Sequence, residues 1–229
     1  MNRRVLLSVF LAALLAPAAA SPALAKGRND TATYIVPPKF NAADQARITK
    51  ATAYLQALAT GQGRFEQTDY RGRITNGNWF LARPGKIRFE YDAPSSLLIV
   101  SDGKQVKMWD PRLRSFDKYP LDETPLSLFL SKQIRFDQGV VITQVTSNAT
   151  GFTLKARDRR KQIEGSVTLS FAQGTDGNLA LRDWTVVDAQ SHGTTVKLTS
   201  FDRGMSLRPD LFVLNSPVAK NNLIFHFFL

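Results

Sequence analysis

From Arg64 to Asp202 the chain alternates short runs of strand-forming residues with turn signals, and one break apart, no helix-length segment separates one run from the next. The period of two points to strands at 64–70, 74–83, 86–92, 97–101, 105–110 and 115–119, and then at 140–147, 151–157, 164–171, 179–187 and 194–202. The turns between them are "RPG", "DAPSS", "SDGK", "DPRL", "SNATG" and "GTDGN", each rich in residues that favour tight backbone reversal. Strands that follow one another without crossover helices pair antiparallel, so the expectation is a meander of about eleven strands in a mainly β fold. A sheet that long does not stay flat and open. It splits into a sandwich, or it curls into an incomplete barrel whose mouth helices cover.

Two helical segments are available. Asn41 is placed to cap the first, Asp44 lies in its opening turn, and Gly61 or Gly63 offers a stop. Ile48, Ala51, Leu55 and Leu58 recur along it at three-to-four spacing. The break in the strand series, "DETPLSLFLSKQ", supplies the second: Thr124 as N-cap, Pro125 in the first helical position, and Leu126, Phe129 and Leu130 on one face. In the curled alternative Leu55, Leu58, Leu126, Phe129 and Leu130 sit opposite the concave face of the sheet.

The segment "KIRFEY" sets Ile87, Phe89 and Tyr91 on one side of a strand and Lys86, Arg88 and Glu90 on the other. That wall is either ordinary core or the lining of a ligand site. Arg83 precedes a proline at the corner just before it. It is either an exposed turn arginine or a latch, since a guanidinium with five donors can bridge the backbone carbonyls of a lid.

The N-terminus reads differently. Arg3 and Arg4 are followed by an apolar run from Val5 to Leu15 and by the small-residue site Ala23-Leu24-Ala25. The run is shorter than the ~20 residues that cross a bilayer, so residues 1–25 read as a cleaved export signal. Removing those 25 of 229 residues leaves 204, and because Arg3 and Arg4 are its only charges the net charge falls from +11 to +9. An exported chain with no cysteine has neither a disulfide framework nor a thiol for a lipid anchor. The expectation is a soluble periplasmic protein. Residues 26–40 read as a flexible arm, 41–218 as the folded domain, and 219–229 ("NLIFHFFL" with the preceding polar residues) as an apolar tail.

Export argues against nucleic acid as the partner of this basic protein. Its one dense basic run, "RDRRK" at Arg157 to Lys161, falls between two strands as a solvated hairpin loop. Enzyme chemistry finds no motif: His192 sits in a turn, His226 in the tail, and Asp102 in "SDGK" fits turn geometry. No catalytic residue, metal or cofactor is expected.

"GNWFLARPGKIRFEYDAPSSLLIVSDGKQVKMWDP", Gly77 to Pro111, resembles the outer-membrane lipoprotein carrier proteins of the LolA family. The shared pattern is Gly77, an aromatic at Trp79 or Phe80, Arg83-Pro84, Phe89, Pro94, Ile99 to Gly103, Trp109 and Asp110-Pro111. The "TPLSLFL" segment and the first helix leading into "GRFEQ" fit it too. The similarity covers about residues 45–218 and is strongest over 64–131. The arm, the "RDRRK" loop and the tail depart from it.

The resemblance implies an incomplete antiparallel β-barrel with a helical lid, and a periplasmic carrier that moves lipoproteins by their acyl chains. It makes Arg83 the latch, and Ile87, Phe89 and Tyr91, with Leu98, Val100 and Met108, the acyl-binding wall. Ile48, Leu55, Leu58, Leu126, Phe129 and Leu130 become the lid. The implied partners are triacylated lipoproteins, an inner-membrane lipoprotein-releasing ABC transporter, and an outer-membrane acceptor or membrane surface, with the carrier a monomer. The acceptor of the same fold is itself a lipoprotein and needs a cysteine that this chain lacks. An envelope module that binds or senses lipids on the same scaffold is the alternative reading.

Overall fold

The computed structural model describes residues 34–124, 126–136, 139–159 and 165–216. The expected export signal 1–25, the first part of the expected arm, the tail 219–229 with His226, and Pro125 lie outside them, as do Arg160 and Lys161 of the basic loop. Helix α1 spans Ala42–Ala57 and is followed by strands β1 (Thr60–Thr68), β2 (Ile74–Ala82), β3 (Lys86–Tyr91), β4 (Leu98–Asp102), β5 (Gln105–Asp110) and β6 (Ser115–Pro120). A 3-10 turn at Leu121–Glu123 and the short helix α2 (Ser127–Leu130) come next. Then follow β7 (Val140–Asn148), β8 (Gly151–Asp158), β9 (Ser166–Gln173), β10 (Leu179–Val187), β11 (Gly193–Leu198), β12 (Asp202–Arg203) and a 3-10 turn at Pro209–Phe212.

The strands form one twelve-stranded sheet in the order β6-β5-β4-β3-β2-β1-β11-β10-β9-β8-β7, with the two-residue β12 beside β1. Sequential hairpins give this order, and β6 and β7 end it without pairing, so the sheet is open. No helix among the described residues is long and apolar enough to cross a membrane.

Two compact units divide the chain. One holds the described residues of Ala53–Gln67, Arg73–Ile134 and 197–216. In it, antiparallel register lines up Trp79, Phe89, Ile99 and Met108 across β2 to β5, and Leu81, Ile87, Ser101 and Val106 in the next row. Directly opposed residues share a face, and all eight of these are buried. Phe65 of β1 meets Phe89 and Tyr91 edge-on, with centroids 5.3 and 5.0 Å away. The 3-10 turn at Pro209–Phe212 lies against β3 and β4, where Arg88 donates from Nη1 to the Leu211 carbonyl at 2.9 Å.

The other unit contains the described residues of 34–52, Thr68–Gly72 and Arg135–Val196. Its core comes from matching rows: Phe152, Phe171 and Leu181, then Leu154, Leu169 and Trp184. Bulges interrupt β7 between Ile142 and Gln144, and β10 between Leu181 and Asp183. Residues 34–40, expected as a free arm, begin with an ordered contact: the Ile35 N–H donates to the Arg159 carbonyl at 2.7 Å. His192 does lie in the turn between β10 and β11, stacked on Tyr70 with centroids 4.0 Å apart.

Three local expectations need correction. Asn41 caps α1 as expected, its Oδ1 accepting from the Asp44 N–H at 2.8 Å, but Gly61 and Gly63 do not stop the helix. Both lie in β1, which begins four residues before the expected strand. A Cβ at Gly61 would stand 2.5 Å from the Phe201 ring, and one at Gly63 would stand 2.0 Å from the Ser200 carbonyl oxygen. The glycines serve close approach in the sheet. Thr124 does not cap α2: its Oγ1 donates to the Leu121 carbonyl at 2.8 Å and closes the preceding 3-10 turn, so α2 starts later, at Ser127.

Candidate functional site

The corner between β2 and β3 is Arg83-Pro84-Gly85. Gly85 takes φ +80°, and a Cβ there would stand 2.6 Å from the Gly103 Cα, so both conformation and space require glycine. Its carbonyl accepts from Ser101 Oγ at 2.6 Å, which fastens the corner to β4.

Helical segments converge on this corner. An α-helix leaves its last carbonyls without partners inside the helix, and those carbonyls carry the negative end of its dipole. Arg83 supplies what they lack. Nη1 donates to the Leu55 carbonyl in the last turn of α1 and to the Leu58 carbonyl just beyond it at 3.4 Å. Nη2 donates to the Ser131 carbonyl, immediately after α2, at 2.5 Å. The Arg83 N–H reaches the Ala59 carbonyl at 2.7 Å, and the Gly85 N–H reaches that of Leu130 at 2.8 Å. Gln56 joins the same two segments directly, giving Nε2 to the Lys132 carbonyl at 2.9 Å and taking the Ile134 N–H at 2.8 Å.

The Arg83 guanidinium has no carboxylate partner among the described residues, and burial draws its pKa below the ordinary arginine value. Its Nε is sealed from solvent with no acceptor. The guanidinium's attachment is therefore to backbone alone, from one charged group to two helical segments. Such charge-assisted bonds are stronger than neutral ones yet lost together when the one side chain moves.

The second component is the apolar face. Ile87, Phe89, Tyr91 and Met108 lie on it together, as the alternation of β3 requires. Leu98 and Val100 do not. Register pairs Leu98 with Glu90 and Val100 with Arg88, on the opposite face of the sheet. Val100 is fully buried on that side and Leu98 half-buried. Ile99 and Val106 take their places on the wall, with Trp79 and Leu81. Besides Ser101, a polar pair interrupts it: Tyr91 donates from its hydroxyl to Gln67 Oε1 at 2.7 Å, both residues being buried. Burial pushes the Tyr91 phenol well above its ordinary pKa, against the smaller effect of that bond.

Among the residues expected in the lid, Leu55, Leu58, Leu126 and Leu130 are buried, while Ile48 and Phe129 are only half-buried. Leu55, Leu58, Leu126 and Leu130 share the unit that carries the wall; Ile48 belongs to the other unit. Gln56 and Val106 have no sequence signature that singles them out, and Gln67 and Ile99 fall within the family pattern without being marked as wall residues by it.

Asp102 is turn chemistry, as expected. Its Oδ1 accepts the Lys104 and Gln105 N–H groups, both at 2.9 Å. Partial burial would raise this carboxyl, but the Lys107 ammonium at 2.8 Å and the two N–H donors outweigh it and bring the pKa down to about 2. Among the described residues no His, Asp and Glu cluster could hold a metal ion.

Comparison with known proteins bears on this arrangement. An outer-membrane lipoprotein carrier protein from Pseudomonas syringae pv. syringae (strain B728a) is 28% identical over 193 residues, covering 80% of this chain and 89% of that protein. One from Azotobacter vinelandii is 30% identical over 151 residues, covering 62% of this chain and 72% of that one. A solved LolA superfamily protein from Nitrosomonas europaea superimposes with a TM-score of 0.43 at 9% identity, over 75% of this chain and 97% of that one. The family model of the outer membrane lipoprotein carrier protein LolA matches residues 56–215, from the end of α1 through the last 3-10 turn. The chain belongs to the LolA family of outer membrane lipoprotein carrier proteins.

Proposed function

We propose that this protein is a periplasmic shuttle that takes the acyl chains of lipoproteins onto the wall of Ile87, Phe89, Tyr91, Ile99 and Met108. It carries them from an inner-membrane lipoprotein-releasing ABC transporter to an acceptor or membrane surface at the outer membrane. The observation that carries this reading is Arg83, which ties the end of α1 and the residue after α2 to the corner where the wall begins. The export signal expected at 1–25 supports the compartment.

A carrier has to release what it binds. Each buried methylene contributes about 0.8 kcal/mol, so several acyl chains in an open apolar site would be held almost irreversibly. Leu55, Leu58, Leu126 and Leu130, covering the wall when it is empty, would have to leave before cargo enters. The latch bonds break with them. The free energy of that rearrangement offsets part of the acyl burial and keeps net affinity within reach of an acceptor. Cargo thus shifts an equilibrium between closed and open forms because it binds only one of them.

The test is extraction from the membrane. Inner-membrane vesicles with an active lipoprotein-releasing transporter, incubated with ATP and the purified mature chain, are expected to yield lipoproteins in soluble one-to-one complexes. Lipoproteins that stay in the pellet, while an established carrier releases them from the same vesicles, would refute the shuttle. Free phospholipid as the only bound species would favour the lipid-sensing alternative.

A further inference from the structure

The Gln67–Tyr91 pair is out of keeping with its surroundings. It lies beside Phe65 and Phe89 in a wall whose other side chains, Ser101 apart, are apolar, and Gln67 is 1% exposed. A primary amide in such a place is costly unless all of its valences are used. Here they are not. The Tyr91 hydroxyl hydrogen satisfies Gln67 Oε1, but the Gln67 amide nitrogen donates to no described residue. Nor is that nitrogen among the fully sealed polar atoms, so the little surface Gln67 keeps includes it. The Tyr91 hydroxyl donates to the amide oxygen, so the amide N–H groups are directed away from the phenol.

What would complete the pair is an acceptor that arrives with apolar material. Hydrocarbon offers none. The carbonyl of an ester- or amide-linked acyl chain offers an acceptor and no donor, attached to the chains that the wall takes. Resting on the carrier reading above, we propose that Gln67, oriented by Tyr91, is a specificity-determining residue that donates a hydrogen bond to an acyl carbonyl of the cargo and so selects acylated over merely alkylated ligands.

The sign of the preference separates this from plain burial. Moving a carbonyl from water into a dry wall without a donor is unfavourable, so a purely apolar site favours an ether over an ester. A waiting N–H reverses the order. The probes are a cysteinyl peptide carrying two ester-linked palmitoyl chains and its diether counterpart with two hexadecyl chains, titrated into the full mature protein. The wild type is expected to bind the diester about tenfold more tightly, the worth of one buried hydrogen bond. Gln67→Met is expected to bind the diether at least as well as the wild type does and to lose or reverse the preference.

Equal binding of the two probes by the wild type, or preference for the diether, overturns the inference and leaves the carrier reading standing. That comparison needs no variant, so it decides the matter even if Gln67→Met fails to fold. An undiminished diester preference in folded Gln67→Met also overturns it. Binding of neither probe removes the carrier reading and this inference with it.

Discussion

Replacing Phe89 with alanine is expected to lower the unfolding free energy by about 3–5 kcal/mol, the usual cost of deleting a fully packed aromatic side chain. Phe89 has no exposed surface. Its neighbours in register are Trp79 on β2 and Ile99 on β4, and its ring stands at 89° to that of Phe65. None of these is free to collapse into the space: the two register partners are fixed by their strands, and Phe65 is also held against Tyr91. Ordinary domains have only about 5–15 kcal/mol of stability, so the urea midpoint should fall by a large fraction. The measurement is equilibrium urea unfolding of wild type and Phe89→Ala with the slope held in common. A loss below about 1 kcal/mol would mean that the ring does not pack as described.

Arg83→Leu is expected to leave cargo loading intact and to impair delivery. The guanidinium's bonds to the Leu55, Leu58 and Ser131 carbonyls exist in the closed form. Leucine can replace none of them, and three carbonyls at helix ends lose a charged donor. Hydrogen bonds to charged groups contribute about 1.5–3 kcal/mol each. Loss of even one such bond's worth from the empty form makes opening easier and the loaded form relatively more favourable. The variant should therefore hold a lipoprotein roughly 10- to 100-fold more tightly. In the vesicle assay it should accumulate as a soluble lipoprotein complex that fails to pass its load to outer membranes. Delivery at the wild-type rate would count against the latch, and failure to load would mean that Arg83 acts in cargo entry instead.

How far the sequence discloses this arrangement depends on whether a residue's partner leaves a mark in the chain. "KIRFEY" alternates strictly, so the side taken by Ile87, Phe89 and Tyr91 is legible without a structure. "LLIV", Leu97 to Val100, is a continuous apolar run with no phase of its own. Only pairing with β3 settles that Ile99 faces the wall while Leu98 and Val100 face away. The strand series was legible because each turn carries its own chemistry, whereas Gly61 and Gly63 look like a helix stop until Phe201 and Ser200 come near them. Arg83 is marked by its place before proline and by the family pattern. Its acceptors are backbone carbonyls, which have no signature in any sequence. Gln67 is hidden for another reason: in "GRFEQT" it is one polar residue among several, and only the alternation of β1 together with Tyr91 shows that it is buried.

Site-specific photocrosslinking in the envelope tests the central claim most directly, because the two faces of β3 to β5 provide the experiment and its control on one scaffold. A benzophenone amino acid placed at Ile87 or Met108 is expected to attach to the acylated N-terminus of lipoproteins, identified by mass spectrometry of the joined peptides. The same group at Leu98, half-buried on the opposite face, is expected to attach to none. Equal capture at Leu98, or no lipoprotein captured at Ile87 and Met108 in folded protein, would contradict the assignment of this wall as the seat of the cargo.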